Sequence, residues 1–290
     1  LATHPPPPNP PRPLALGAIP GTICAHPMDV LKIRMQTTSS GSYRSAVQHI
    51  MQASGTTTAA RGSVLGFYRG LTPAIEQRIV ARGPMFLVSE LFTQCVEDQT
   101  PLKGTEARWA GSIASGYVVG VLAGLAEYRK KLLSQSVITG KEARWGNLVR
   151  TAFRAGEGGS LARRLHAAGA CASVYDSTFF GTQDALARSQ WSAPASFGAA
   201  AVCATIAAFA FDTGVARMMV VAPGEGVRGL LSVVSGIATE GNNGKWSLAG
   251  AKRLYRGLPA RSVEFAISYV VTGAVSVYVV GFFNQYLEDV

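Results

Sequence analysis

The 290-residue chain is 48% hydrophobic and only 15% charged, whereas soluble domains carry about 25% charged residues. This composition favours a membrane protein over an ordinary soluble domain. The formal net charge of +10 predicts an anionic neighbour, either acidic lipid or nucleic acid. Nucleic acid is the weaker choice, because aromatic residues do not alternate with basic ones and no zinc or RNA-recognition motif occurs.

The chain begins with a proline-rich segment, residues 1–13, for which the composition predicts an extended tail. Six apolar stretches follow. Two of them include uncharged runs, 109–126 and 192–211, whose lengths approach the ~20 apolar residues that a membrane-spanning helix needs. We predict a long helix over each stretch. The stretches are 14–36, 71–96, 109–135, 165–188, 194–221 and 259–286.

Charged residues lie inside the second, fourth and sixth stretches. They predict helices with one face on lipid and another on water or protein. A bundle of soluble core helices is the alternative. It explains less well the glycines at every fourth position in 116–124, because such glycines let membrane helices approach closely but weaken helices in water. The charged residues are Glu76, Arg78, Arg82, Asp176 and Glu264.

Shorter segments with helical patterning lie between the long stretches, at 43–54, 146–156 and 228–239. The order long helix, short helix, long helix therefore occurs three times. A sequence repeat supports this organisation, since YRGL occurs at 68–71 and again at 255–258. That separation is about two periods of ~94 residues, which indicates a threefold tandem repeat.

One motif defines the repeat more closely. The first repeat matches the signature P-x-[DE]-x-x-[KR]-x-[RK]-x-Q in full and adds a Tyr-Arg-Gly step at 68–70. With these motifs the sequence resembles the mitochondrial carrier family, and the resemblance extends over about residues 14–287. The signature residues are Pro27, Asp29, Lys32, Arg34 and Gln36.

The resemblance implies an all-α membrane protein, with six tilted transmembrane helices and three short matrix helices. Three tandem repeats would surround a pseudo-threefold axis. The resemblance also implies a multi-pass protein of the mitochondrial inner membrane without enzymatic activity. The expected segments are the tail at 1–13 and carrier repeats at 14–98, 99–190 and 191–290.

In the family, the signature proline bends each odd-numbered helix, and the acid of one repeat pairs with the lysine of the next. Here the bend is expected at Pro27, because proline removes one hydrogen bond from a helix. The later repeats match the signature only in part. They read AEYRKKLLSQ at 126–135 and AFDTGVARMM at 210–219.

The family pattern implies a network of ion pairs between repeats on the matrix side. Two pairs keep both charges here and the third has lost both, which avoids an unfavourable unpaired buried charge. Charges that are merely solvated at helix ends are the alternative. The expected positions are Asp29–Lys131, Asp212–Lys32 and the uncharged Tyr128–Val215.

A second network in the family closes the opposite side from the even-numbered helices. Counting along the chain places two acids there, Glu90 and Asp184, with Val277 as the third residue. The expected basic partners are absent, although Arg188 lies one residue out of place. We therefore predict that this side lacks its ion pairs. The partner positions are Thr93, Ala187 and Val280.

The family's central contact positions fall on Gln77, Cys171 and Glu264. Nucleotide carriers use arginines for phosphate groups, and none of these residues is an arginine. Glu264 would favour a cationic or amino group on a solute. Alternatively it is a structural acid paired with Arg261, one turn earlier.

Cardiolipin is the expected lipid partner and is expected to be bound, and no cofactor is expected. Helix starts present free N–H groups that bind phosphate, and the Tyr-Arg-Gly steps resemble the family's cardiolipin sites. We predict no metal site. The lipid-binding candidates are Tyr68, Arg69, Gly70, Tyr255, Arg256 and Gly257.

Other motifs carry little weight. GEGVRG at 224–229 fits a dinucleotide-binding pattern, but no alternation of strands and helices surrounds it. The four cysteines are far apart, so they indicate neither zinc nor a disulfide framework. They are expected to pack as small apolar residues.

Two functions remain open at this stage. The chain is either a structural or accessory subunit of a larger inner-membrane complex, or an active carrier of a small metabolite. Loss of one closing network favours the subunit, because a scaffold does not need two states of similar free energy.

Overall fold

The structure is a computed structural model that describes residues 14–37, 42–53, 64–134, 146–147, 150, 158–221, 227–240, 243–268, 271 and 275. Within these residues every regular element is a helix and no strand occurs, so the all-α prediction is confirmed there. The helices are α1 Leu14–Thr37, α2 Tyr43–Ala53, α3 Leu71–Gln99, α4 Thr105–Ser134, α5 Gly158–Arg188, α6 Ala193–Met219, α7 Leu230–Thr239, α8 Leu248–Leu254 and α9 258–268.

Most predicted stretches coincide with helices. The exception among the long ones is α5, which begins at Gly158 and not at residue 165. The sixth stretch is helical over 258–268 and at residues 271 and 275, and its remainder lies outside the described residues. So do the tail and most of the predicted short helix 146–156, of which residues 146, 147 and 150 are helical.

Two short elements were not predicted, and each leads into a Tyr-Arg-Gly step. They are a 3-10 turn at Val64–Tyr68 and the helix α8. Ser247 caps α8, because its hydroxyl accepts a hydrogen bond from the Gly250 N–H at 3.0 Å. A serine at this position satisfies one of the N–H groups that a helix start leaves free.

Among the described residues, two helices are long and apolar enough to cross a membrane, judged by length and composition. They are α4 and the part of α6 from Gly198 to Met219. These are the same two segments whose uncharged runs the sequence singles out.

The glycines of α4 allow it to pack closely against α5. A Cβ at Gly116 would lie 2.9 Å from the Ala172 carbonyl oxygen, and one at Gly120 would lie 2.6 Å from the Ala172 Cβ. Either side chain would push the helices apart. The close approach predicted from the glycine spacing is therefore confirmed.

The C-terminal part of α1 contacts both α4 and α6, and α4 also contacts α6. This arrangement brings the signature segments of the three repeats together. An apolar cluster of buried residues from α4, α5 and α6 lies beside them.

Candidate functional site

The ends of α1 and α6 are joined by an ion pair at the positions that the repeat pattern predicts. Lys32 Nζ lies 3.0 Å from Asp212 Oδ2. Gln36, the last residue of the signature, donates a hydrogen bond from Nε2 to the same oxygen at 2.9 Å. Because Lys32 is buried, its charge depends on these direct contacts and not on water.

The partner of Asp29 differs from the prediction. Asp29 Oδ2 lies 3.1 Å from Lys130 Nζ. Lys131 Nζ lies instead 2.9 Å from Glu127 Oε1, one turn earlier in α4, and 3.7 Å from Asp212 Oδ1. The predicted Asp29–Lys131 pair is therefore wrong.

A shift of one residue in the second repeat explains the difference. A Cβ at Gly70 would lie 2.9 Å from the carbonyl oxygen of Lys130. In the same way, a Cβ at Gly257 would lie 3.2 Å from the carbonyl oxygen of Lys32. These matching contacts make Lys130, and not Lys131, the counterpart of Lys32.

In this register the second repeat has kept its acid. Glu127 precedes Lys130 by three residues, as Asp29 precedes its lysine in the first repeat. Alignment on Gln135 hides this acid. The signal available in the sequence was the spacing Glu-x-x-Lys, which survives without the proline.

Six side chains from three helices form a closed ring of alternating charge, which we call the charge ring. Its successive N–O distances are 3.6, 3.1, 3.8, 2.9, 3.7 and 3.0 Å. Three carboxylates balance three buried lysines, so the network is complete and the prediction of two ion pairs is corrected. In order the members are Lys32, Asp29, Lys130, Glu127, Lys131 and Asp212.

The third repeat supplies no lysine to the ring. Val215 occupies the place of that lysine and belongs, with Tyr128, to the buried apolar cluster. Tyr128 follows the acid of its repeat and does not replace it. The predicted Tyr128–Val215 position is thus part of an apolar seam between α4 and α6, and Lys131 supplies the missing charge from α4.

Arg164 strengthens the same seam from α5. Its Nε donates to the Met218 carbonyl at 3.1 Å, and its Nη2 donates to the Val221 carbonyl at 3.1 Å. Its guanidinium carbon lies 4.8 Å from the centre of the Tyr128 ring. A helix end leaves carbonyls without partners, so this buried arginine caps α6. The sequence gives no signal for this role, because Arg163-Arg164-Leu165 lacks the tyrosine and the glycine of the Tyr-Arg-Gly step.

A cavity of about 170 Å³ lies between the charge ring and the middle of the bundle. Two of the predicted central residues, Gln77 and Cys171, line it. Its charged lining residues are Lys32, Arg78, Glu127, Lys130, Asp176, Asp212 and Arg261.

Glu264, the third predicted central residue, does not line this cavity. It is fully buried, with Arg78 Nη2 at 2.5 Å from Oε1 and Arg261 Nη1 at 2.7 Å from Oε2. The expectation that Glu264 receives a cationic solute group is wrong, because two arginines already surround its carboxylate. The alternative, a structural acid paired with Arg261, describes the contact, and Arg78 adds a link from α3 to α9.

Aromatic rings make a further contact beside the cavity. Tyr175 on α5 stacks on Phe265 on α9 with ring centroids 6.3 Å apart. The guanidinium carbon of Arg261 lies 4.3 Å from the centre of the Phe265 ring. Together with the link from Glu264 to Arg78, these contacts join α3 and α5 to α9 at the level of the cavity.

The opposite ends of the helices carry ion pairs of a different kind. Glu90 lies 2.7 Å from Arg108 at the start of α4, and Asp184 lies 3.1 Å from Arg188 in its own helix. The acids therefore have partners, and the prediction of unpaired acids is corrected. These pairs connect neighbours or stay within one helix. Thr93 and Ala187 provide no basic group, and Val277 and Val280 lie outside the described residues.

Both Tyr-Arg-Gly steps end in a glycine with left-handed backbone, φ 81° at Gly70 and 90° at Gly257. Only glycine adopts this conformation without strain. The carbonyl of Arg69 accepts hydrogen bonds from His26 Nε2 at 3.0 Å and Ser134 Oγ at 3.1 Å. These steps thus hold the starts of α3 and α9 against the ends of neighbouring helices, where Tyr68, Tyr255 and Arg256 also lie.

Other sequence features have simple outcomes. α1 remains helical through Pro27, and the bend there stays a prediction. Among the described residues no cluster of His, Cys, Asp or Glu could hold a metal ion. The cysteines are free thiols, and three of them are exposed and not packed in the core as expected. The exposed ones are Cys24, Cys95 and Cys203.

The comparison with known proteins agrees with the signature. No curated protein matches the chain. Residues 9–99 match the family described as mitochondrial carrier protein, whose members are membrane proteins of the mitochondrion. This segment contains the complete signature and the first Tyr-Arg-Gly step. The match, together with the all-α fold of the described residues, supports the membership of the chain in the mitochondrial carrier family.

Proposed function

We propose that the chain is a multi-pass protein of the mitochondrial inner membrane, with six transmembrane helices in three repeats around a pseudo-threefold axis. In this proposal it acts as a structural or accessory subunit of a larger inner-membrane complex. Transport through its centre is impaired, because contacts between helices occupy the path that a solute would take.

The observation that carries the proposal is the buried carboxylate of Glu264 between Arg78 and Arg261. Arg78 comes from α3 and the other two residues from α9, so the contact ties two helices together at the level of the cavity. Moving α3 away from α9 would break the contact of Arg78 with this carboxylate, and removing one partner of a buried ion pair costs about 3–5 kcal/mol. A passage that opened here would have to meet that cost.

The size of the cavity supports the same conclusion. Its volume of about 170 Å³ is below the ~300–1,000 Å³ of typical small-molecule sites. At the end away from the charge ring, the ion pairs of Glu90 and Asp184 do not connect helices across the axis. In the part of the chain that the structure describes, the second closed state of an alternating carrier therefore has no network that matches the charge ring, which biases the protein toward one state.

Cardiolipin is the lipid that we propose for the Tyr-Arg-Gly steps. The backbone N–H groups at the starts of α3 and α9 are suited to a phosphate group. Arg69 and Arg256 each lie two residues before one of these helix starts. The net charge of +10 suits a membrane rich in anionic lipid.

Two measurements test the accessory function. Extraction in mild detergent should keep the chain in a particle with respiratory or ATP-synthase subunits, seen by native electrophoresis and mass spectrometry. Liposomes that contain the purified chain should exchange none of a panel of carboxylates, nucleotides, amino acids and phosphate above empty liposomes. Robust exchange of any solute by the wild-type chain would overturn the proposal.

An active carrier of a small metabolite is the second candidate, and the completeness of the charge ring favours it. Six balanced charges at the ends of three helices can separate and re-form, as a closing network must do. In this case solute exchange in liposomes should be measurable, and Asp212→Asn should change its rate because one contact between α1 and α6 is lost. A rate unaffected by this substitution would argue against a gating role of the ring.

A further inference from the structure

A polar pair lies on the outer surface between α4 and α5. Tyr117 Oη is 2.6 Å from His166 Nδ1, and the two rings meet edge to face with centroids 5.4 Å apart. Both side chains are exposed, and neither lines the cavity. The pair therefore faces away from the axis of the bundle.

One member of the pair lies deep within a candidate membrane span, and the other contacts it from α5. Tyr117 is near the middle of the uncharged run 109–126 in α4, which is long and apolar enough to cross a membrane. At a rise of about 1.5 Å per residue, each end of that run is ~12 Å from Tyr117. Lipid headgroups are thus too far away to bind the phenol or the imidazole.

A polar atom in this position needs a partner. The phenol occupies Nδ1 of His166, and no described residue forms a hydrogen bond with Nε2. Lipid tails neither donate nor accept hydrogen bonds, and ionisable side chains facing lipid at this depth are rare and unfavourable. Ser173 on the same surface already has a hydrogen-bond partner, because its hydroxyl donates to the Ile113 carbonyl at 2.8 Å.

Large apolar side chains surround the pair. Ile113 is 50% exposed and Leu122 is 64% exposed, and Val118 lies between them. α6 offers a comparison, since Val202 and Ile206 are similarly exposed at 58% and 48% but have no imidazole beside them. Hydrophobicity alone does not distinguish the two faces, whereas the unsatisfied nitrogen does.

We propose that this surface binds a transmembrane helix of another protein that carries a hydrogen-bonding side chain opposite Nε2 of His166. We call it the α4–α5 outer face, made of Ile113, Tyr117, Val118, Leu122 and His166. Side chains such as Ser, Thr, Asn and Gln join membrane helices in this way. The inference rests on the proposed accessory function, and it adds the side on which the partner is attached.

Site-specific photo-cross-linking in mitochondrial membranes tests the proposal. p-Benzoylphenylalanine at Leu122 should give an adduct with one protein of defined mass, whereas the same group at Val202 should not. His166→Leu should lower the Leu122 adduct at least fivefold, and His166→Gln should retain most of it because the amide still forms hydrogen bonds. If His166→Leu does not accumulate in the membrane, Tyr117→Phe should lower the adduct at least twofold. This substitution removes the hydrogen bond to Nδ1 that holds the orientation of the imidazole ring.

The other results each overturn the inference. They are equal adducts at the two positions, an adduct insensitive to residue 166, or an adduct with a second copy of this chain. If the chain still co-purifies with a complex while Leu122 gives no adduct, the docking face is wrong but the accessory function stands. Absence of any complex together with solute exchange in liposomes would contradict both the docking face and the accessory function.

Discussion

Glu127 pairs with a lysine one turn away in its own helix, where Lys131 Nζ lies 2.9 Å from Glu127 Oε1. In the other two repeats the acid binds a lysine from a different helix. The charge ring therefore joins α1 to α4 and α1 to α6 through short contacts between an acid and a lysine. Between α4 and α6 the ring contributes only the longer contact of Lys131 with Asp212, at 3.7 Å, and the apolar seam does most of the joining.

Moving the positive charge of Lys131 from α4 to position 215 of α6 should preserve the charge ring. Lys131→Gln should lower the melting temperature of the purified protein, since it unbalances buried charges at a cost of about 3–5 kcal/mol. Lys131→Gln combined with Val215→Lys should recover at least half of the loss, because Val215 faces the same cavity as Glu127. Thermal unfolding in detergent measures both, with Lys252→Gln on the exposed surface as the control. No recovery in the double variant would show that charge balance does not explain the role of Lys131.

We expect the Arg164 cap at the end of α6 to contribute strongly to the free energy of unfolding. Arg164→Met removes the donor to two carbonyls, and each buried carbonyl left without a donor costs about 1–3 kcal/mol. Arg163→Met is the matched control, because Arg163 is exposed and donates to one carbonyl, that of Val227. Thermal unfolding should show a much larger decrease for Arg164→Met. Similar decreases for the two variants would contradict the capping role.

The contact of Glu264 with Arg78 should appear as coupling in a double-mutant cycle. Glu264→Gln leaves two partly buried guanidinium groups without this carboxylate, so the melting temperature should fall clearly. Adding Arg78→Gln to this variant should cause a smaller further loss than Arg78→Gln causes in the wild type, since the pair is then already broken. Strictly additive losses would mean that the contact contributes nothing to stability.

The glycine at the start of α9 should not tolerate a side chain. Gly257→Ala forces a left-handed conformation at φ 90°, which costs an L residue roughly 1–2 kcal/mol, and its Cβ would lie 3.2 Å from the Lys32 carbonyl oxygen. Gly236→Ala inside α7 is the control. No atom lies within 4 Å of its added Cβ, so this change should be neutral or stabilising by about 0.5–1 kcal/mol. Thermal unfolding that ranks the two variants the other way would be inconsistent with the strained turn.

The amino-acid sequence alone determines the helical order, the two most apolar spans and the family signature around Pro27. Local spacing suffices for the helices, since a helix and its polar face depend on residues three or four apart. The glycine spacing in α4 predicts close helix contact for the same reason. The placement of Asp212 opposite Lys32 came instead from the resemblance to the mitochondrial carrier family, which both repeats carry in recognisable motifs.

Only the tertiary structure decides which lysine Asp29 binds and what surrounds Glu264. A shift of one residue rotates a side chain by about 100° around a helix of 3.6 residues per turn, so Lys130 and Lys131 point to different neighbours although they are adjacent in sequence. Arg78 is 186 residues from Glu264, and no local pattern links them. Their contact exists because the packing of α3 against α9 brings a cation to an acid that burial would otherwise leave without a partner.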